Sequence, residues 1–275
     1  MACPGTSCRA NNDLNQEEHQ MRNLKVLGLA LIAVFAFGVV AAGAAQANAP
    51  RWTVTENSEA KTLSATETRE FTSKSTTGFT LGATGVASFT SPSCTASGTI
   101  RGSEKGQPGT NENVVLHCTE VKVEGNKNCV VHSPGAAGGT VATEPLSSTL
   151  VWLSATSNDE VGDTFKPVNA NNLFVTLEVE KCVLEGHYPV IGNFIAKVEP
   201  VTEHKIEGQL TAPVAQIHAY WNNETPTRAK QEDAGLTLKA KAATFTGWNA
   251  TTNTAETGVM DVTLANNVEW GIEPG

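Results

Sequence analysis

The chain has 275 residues and a formal net charge of −9, from 28 acidic against 19 basic side chains. A surface of that sign repels phosphate backbones and anionic lipid headgroups, which argues against nucleic acid as a partner and against peripheral membrane binding. Charged residues make up only 17% of the whole, so solubility rests on hydroxyls and amides, and long surface helices rich in Glu, Lys and Arg are not expected.

Residues 1–20, "MACPGTSCRANNDLNQEEHQ", are polar and read as an over-long gene start or a disordered extension, with Met21 the better first residue. Residues 21–47 have the three parts of an export signal: Arg22 and Lys25 in front, twenty uncharged apolar or small residues from Val26 to Ala45, then Ala45-Gln46-Ala47 for the peptidase. This predicts an N-terminal apolar signal helix cut after Ala47. The alternative is a retained membrane anchor, since twenty residues at about 1.5 Å each can span a hydrocarbon core of ~30 Å.

After the leader the chain reads as strand after strand. Residues 62–74 are Thr-rich and loosely alternating, as suits an exposed or edge strand; 78–90 and 94–102 follow, broken by glycines. Residues 102–113 are a loop by composition, and "VVLHCTEVKVEG" at 114–125 is the clearest strand of this half. A turn at 133–139 leads to a strand at 148–156 and then to the acidic turn "SNDEVGD" at 157–163. In 172–184, Leu173, Val175, Leu177 and Val179 share one face, the period of a half-buried strand. Glu185-Gly186 turns that strand into a hairpin with 187–201. Residues 235–245 and 258–270 alternate in the same way, and only 212–221 has a pattern that could turn helical. The predicted fold is all-β: a β-sandwich or irregular barrel of many short antiparallel strands. It forms a single domain over residues 48–275, in which 202–275 is open to reading as a second sheet or subdomain.

Four cysteines follow the leader, Cys94, Cys118, Cys129 and Cys182. An even number in an exported chain reads as disulfides. Zinc sites favour close pairs such as C-x2-C, and His117 and Cys118, adjacent on a strand, point to opposite faces; no metal is predicted. A regular hairpin about Gly125-Asn126 leaves Cys118 and Cys129 four residues out of register. Either residues 119–128 form an irregular loop closed by Cys118–Cys129, or both cysteines reach elsewhere; the favoured pairing is the closed loop, with Cys94 joined to Cys182.

The cysteine spacing C-x23-C-x10-C from Cys94, with "SPGAAGGTVATEPLSSTLVWL", "FVTLEVEKC" and "HYPVIGNFIAKVEPV" after it, resembles a group of uncharacterised secreted proteins of actinobacteria. The likeness covers residues 90–202 and the leader. That group carries no established activity, so the resemblance implies export and β-architecture and leaves the function open.

Chemistry is sparse. No nucleophile elbow, phosphate loop or H-E-x-x-H motif occurs, and His117, His132, His187, His204 and His218 are scattered, so no catalytic residue and no cofactor is assigned. Asn158, Asp159, Glu160 and Asp163 offer oxygen donors without the spacing of a calcium loop, and read as a solvated turn. In "HAYWNNETP", Trp221 and Asn223 would share one strand face, a ring beside an amide able to meet a sugar; these two are the candidate binding residues. The expected function is that of a non-catalytic secreted or cell-envelope β-protein, a binding or surface-structural module whose partners would be cell-wall glycan or envelope components. The alternatives are an exported hydrolase of glycan or ester bonds, and a protein tethered to the membrane by its leader.

Overall fold

The computed structural model describes residues 49–83, 87–154, 157–212, 236–240 and 250–274, all within one compact unit, Gln46–Gly275. The signal segment, and with it the question of cleavage or anchoring, lies outside the described residues. So do residues 213–221 of the helical candidate at 212–221, whose first residue Ala212 ends a strand, and the binding candidates Trp221 and Asn223.

Nineteen strands run through the described residues. The first seven are β1 (Pro50–Glu56), β2 (Glu59–Thr62), β3 (Thr68–Ser75), β4 (Phe79–Ala83), β5 (Ala87–Ser91), β6 (Ser93–Arg101) and β7 (Thr110–Thr119). Then come β8 (Lys122–Val123), β9 (Val130–His132), β10 (Val141–Ala142), β11 (Leu146–Trp152), β12 (Val161–Pro167) and β13 (Leu173–Glu180). The last are β14 (Gly186–Gly192), β15 (Phe194–Glu199), β16 (Glu207–Ala212), β17 (Leu236–Ala240), β18 (Ala250–Leu264) and β19 (Trp270–Pro274).

The fold is all-β, and of the two predicted architectures it takes the barrel. Eight antiparallel strands in the order β16-β15-β12-β11-β7-β6-β3-β18 form a sheet that closes when β18 pairs with β16 from Glu207↔Thr263 to Ala212↔Gly258. Closure removes the edges that an open sandwich would leave unpaired. The 15-residue β18 also builds a second sheet: its N-terminal half pairs with β17 and with β4, giving the order β8-β5-β4-β18-β17-β14-β13-β9. The outer strands of that sheet, β8 and β9, lie against each other without pairing. A third, three-stranded sheet, β2-β1-β19, joins the first strand of the described residues to the last.

Strand alternation explains the barrel. In β11, Leu146, Ser148, Leu150 and Trp152 are buried while the residues between them are half-buried. Phe71 and Ser73 of β3, and Met260, Val262 and Leu264 of β18, do the same. The interior voids are small, about 40 Å3 in the barrel and 60 Å3 in the second sheet. The interior is therefore a packed core, one of the two fillings that an eight-strand barrel allows, and not a ligand chamber. The small sheet covers one end of the barrel with Trp52 and Trp270, which meet edge to face at 5.7 Å; the Trp270 indole donates to the Val262 carbonyl at 3.3 Å. Gly208 makes room for this. A Cβ there would lie 2.4 Å from both the Glu199 carbonyl oxygen and the Trp270 ring.

Several boundaries differ from expectation. The strand predicted over 62–74 breaks at a turn after Leu63, where Glu67 accepts from the backbone and hydroxyl of Ser64 at 3.0 and 2.8 Å. The stretch 78–90 becomes the β4–β5 hairpin, and the loop after β6 ends early because β7 starts at Thr110. Leu173 is only half-buried, since a register shift between Leu173 and Val175 breaks the alternation that places Val175, Leu177 and Val179 inside. The 187–201 strand is two strands: β14 stays with β13, and after Asn193 the chain crosses to β12 as β15. Phe194 marks that crossing, stacked on Phe165 at 4.9 Å and edge-on to Phe174 at 5.5 Å. From residue 207 onward, β16 and β18 are staves of the barrel, β17 and β18 belong to the second sheet, and β19 to the small one.

The four cysteines form two disulfides, but not in the favoured pairing: Cys94 bonds Cys118 and Cys129 bonds Cys182. The reason is register. In the antiparallel β6–β7 ladder Cys94 stands directly opposite Cys118, with Cα atoms 4.1 Å apart. Cys129 precedes β9 and Cys182 follows β13, and Val130 pairs with Glu180, which brings their Cα atoms to 5.0 Å. Two disulfides fit an oxidising compartment.

Two outcomes test this arrangement. Peptide mapping under non-reducing conditions is expected to recover Cys94 joined to Cys118 and Cys129 joined to Cys182; loop-closure entropy puts their contributions at roughly 3.5 and 4 kcal/mol, the longer loop more. Gly208→Ala should lower stability by about 1–3 kcal/mol in urea denaturation, because the added methyl meets backbone and the Trp270 ring with no room to yield.

Candidate functional site

Three clusters of polar side chains stand out, and only one of them is open and extended. On the outside of the barrel, register aligns a lateral row from Gln209 of β16 through Asp261, Lys74 and Thr95 to His117 of β7. A second row, displaced by two residues, runs Glu207, Thr263, Thr72 and Ser97. All nine side chains are half-buried or exposed, because each alternates with an inward residue of its strand. All of them but Gln209 border a depression of about 660 Å3, within the size range of small-molecule sites. Its chemistry is that of hydroxyls interleaved with one ammonium, two carboxylates and an imidazole, and the Gln209 amide ends the row beside it. Gln209 Nε2 donates to Asp261 Oδ1 at 2.9 Å, and Lys74 stands opposite Asp261 across the next ladder, which keeps opposite charges adjacent. The Cys94–Cys118 bridge lies one residue from Thr95 and His117 on the inward side and ties together the two strands that end the row.

The second cluster crosses β9, β13 and β14. Glu178 is the register partner of both His132 and His187. His187 Nδ1 lies 3.0 Å from Glu178 Oε1; His132 Nδ1 lies 3.4 Å from Glu178 Oε2 and 2.9 Å from the Ser133 carbonyl, to which it is the donor when that nitrogen carries the proton. Among the described residues no three His, Cys, Asp or Glu groups are placed to hold a metal ion. This row ties three strands side by side, next to the Cys129–Cys182 bridge.

The third cluster is enclosed. Asp163, read from the sequence as part of a solvated turn, lies inside β12 and is fully buried, because the turn ends at Glu160 and the strand begins at Val161. Its Oδ2 accepts from Asn111 Nδ2 at 2.5 Å. Burial pushes the carboxyl up to about 7, and the nearby Ser148 hydroxyl and Asn111 amide pull the other way. Ser148 approaches this carboxyl without closing a regular hydrogen bond. The alternation Val161, Asp163, Phe165 was the signal in the sequence: an acid at an inward strand position.

The other predicted groups scatter. His117 joins the outer row, His204 hydrogen-bonds Thr55 Oγ1 at 2.7 Å, and His218 lies with Trp221 and Asn223 outside the described residues. Trp52, Trp152 and Trp270 are core residues. The hydroxyl rows were missed because they exist only across strands distant in sequence, although Thr72-x-Lys74-x-Thr76 and Thr95-x-Ser97 show the alternation locally. No protein-family model, no curated protein and no solved structure matches this chain.

Proposed function

We propose that the protein is an exported, non-catalytic β-barrel module that binds a polyhydroxylated envelope ligand, such as cell-wall glycan, on the hydroxyl face of β16, β18, β3, β6 and β7. The observation that carries this reading is the pair of lateral rows, in which hydroxyl, amide, carboxylate and ammonium groups repeat at strand spacing on a disulfide-tied surface. Strands stand about 4.8 Å apart, so successive sugar hydroxyls along a chain would meet successive donors and acceptors. The two disulfides and the leader support export. Residues 48–275 should show saturable binding to isolated cell wall or to glycans on an array. The variant Thr72→Val/Thr95→Val/Ser97→Ala should weaken it at least tenfold without altering the circular dichroism spectrum. Absence of binding to any glycan or wall fraction would reject the reading.

A second reading has one observation in its favour. Glu207 and Asp261 are diagonal neighbours across the β16–β18 ladder, a backbone spacing of roughly 7–8 Å, and glycosidases work with two carboxyl groups about 5–9.5 Å apart. If the site hydrolyses glycans, turnover of wall polysaccharide will vanish in Glu207→Gln and in Asp261→Asn while binding persists. Wild-type protein that binds without releasing reducing ends rules this out.

A further inference from the structure

Among the described residues, the interior of the barrel holds one ionisable group, Asp163, and no counter-charge beside it. Asp163 Oδ2 takes the Asn111 amide, but Asp163 Oδ1 and Asn111 Oδ1 are both buried acceptors without a donor. One hydrogen atom is therefore missing from an otherwise complementary pair. Nothing around them supplies positive charge. Facing Asp163 are Leu150 and Ser148 from β11, Ala196 from β15, and Phe71, Ile100, Leu210 and Leu264 from β3, β6, β16 and β18. Trp52 and Trp270 cover that end, and Asn111 comes from β7. None of these groups titrates near neutrality. Charged side chains on the surrounding strands turn away: Lys197, next to Ala196, pairs with Glu199 at 2.7 Å, Arg101 pairs with Glu112 at 2.7 Å, and Arg69 pairs with Glu56.

We propose that Asp163 holds a proton in the folded barrel, its O–H donating to the Asn111 side-chain oxygen while the Asn111 amide donates back, so that the barrel is a pH-responsive element that weakens as this proton leaves. A buried, unpaired carboxylate is costly, and a shared acid–amide hydrogen-bond ring satisfies all four polar atoms. The sign follows from proton counting. Below about pH 4 the folded and unfolded chains both carry this proton; between about pH 4 and 7 only the folded chain keeps it. Folding thus takes up a proton in that window, and stability falls as pH rises through it, levelling off above about 7. Across the window the folding equilibrium constant drops about a thousandfold. Glu56, Glu67 and Glu112, whose partners hold them below the ordinary carboxylate range, have the opposite slope, but in more acidic solution.

The test is a set of urea or thermal unfolding curves from pH 5 to pH 8 for the purified protein and for Asp163→Asn. The wild type should lose stability steadily toward pH 7, whereas Asp163→Asn, whose amide pairs with Asn111 at every pH, should be flat over the same range. A flat wild-type profile, or an equal slope in the variant, overturns the proposal. Should Asp163→Asn fail to fold, infrared spectroscopy of the native wild type at pH 6 decides: a protonated-carboxyl carbonyl band that vanishes on unfolding supports the buried proton, and its absence refutes it.

Discussion

The ladder between β16 and the C-terminal half of β18 is the constraint on which the rest depends. Without it the eight-strand sheet would end in two unpaired edges, each exposing a row of backbone donors and acceptors. With it, every stave has two neighbours, and the inward residues of all eight face one another across a space they can fill. Because β18 continues beyond the barrel into the second sheet, that strand also fixes the register of β4 and β17. One strand thereby sets the geometry of both large sheets.

Closure also decides where chemistry can sit. The interior of this barrel is filled by its own side chains, so polar groups there must satisfy one another, while those outside are free to meet solvent or a partner. The two polar clusters of the barrel illustrate the division. Asn111 and Asp163 face inward and are each other's partner. Thr72, Thr95, Ser97 and Asp261, on the opposite side of the same wall, form an extended surface on which each ladder adds one more group to the row. The Cys94–Cys118 bridge ties that wall together where β6 and β7 meet, which would limit the entropy lost on binding the proposed ligand.

Local pattern made the strand content legible: period-2 runs such as Leu173 to Glu180 and Met260 to Leu264, and the glycine and acidic turns between them, mark where strands begin and end. What alternation does not encode is which strand lies beside which. Cys94 and Cys118 look unrelated along the chain because the loop after β6 separates them, and only the ladder sets one opposite the other. The barrel, the sheet switch after Asn193 and the aligned hydroxyl rows are likewise products of pairing between distant segments. Asp163 was misread for a related reason: its neighbours in sequence are turn formers, and its true environment is built by residues from seven other strands and a capping sheet.

The pairing of β1 with β19 carries a consequence for how the molecule is made. Pro50 finds its partner in Pro274, at the far end of the polypeptide, and the barrel itself waits for β18. Such distant partners slow assembly. Although β1 can pair with β2 as soon as both exist, its other edge waits for β19 and the barrel's closing ladder waits for β18, so a chain that lacks them keeps open edges.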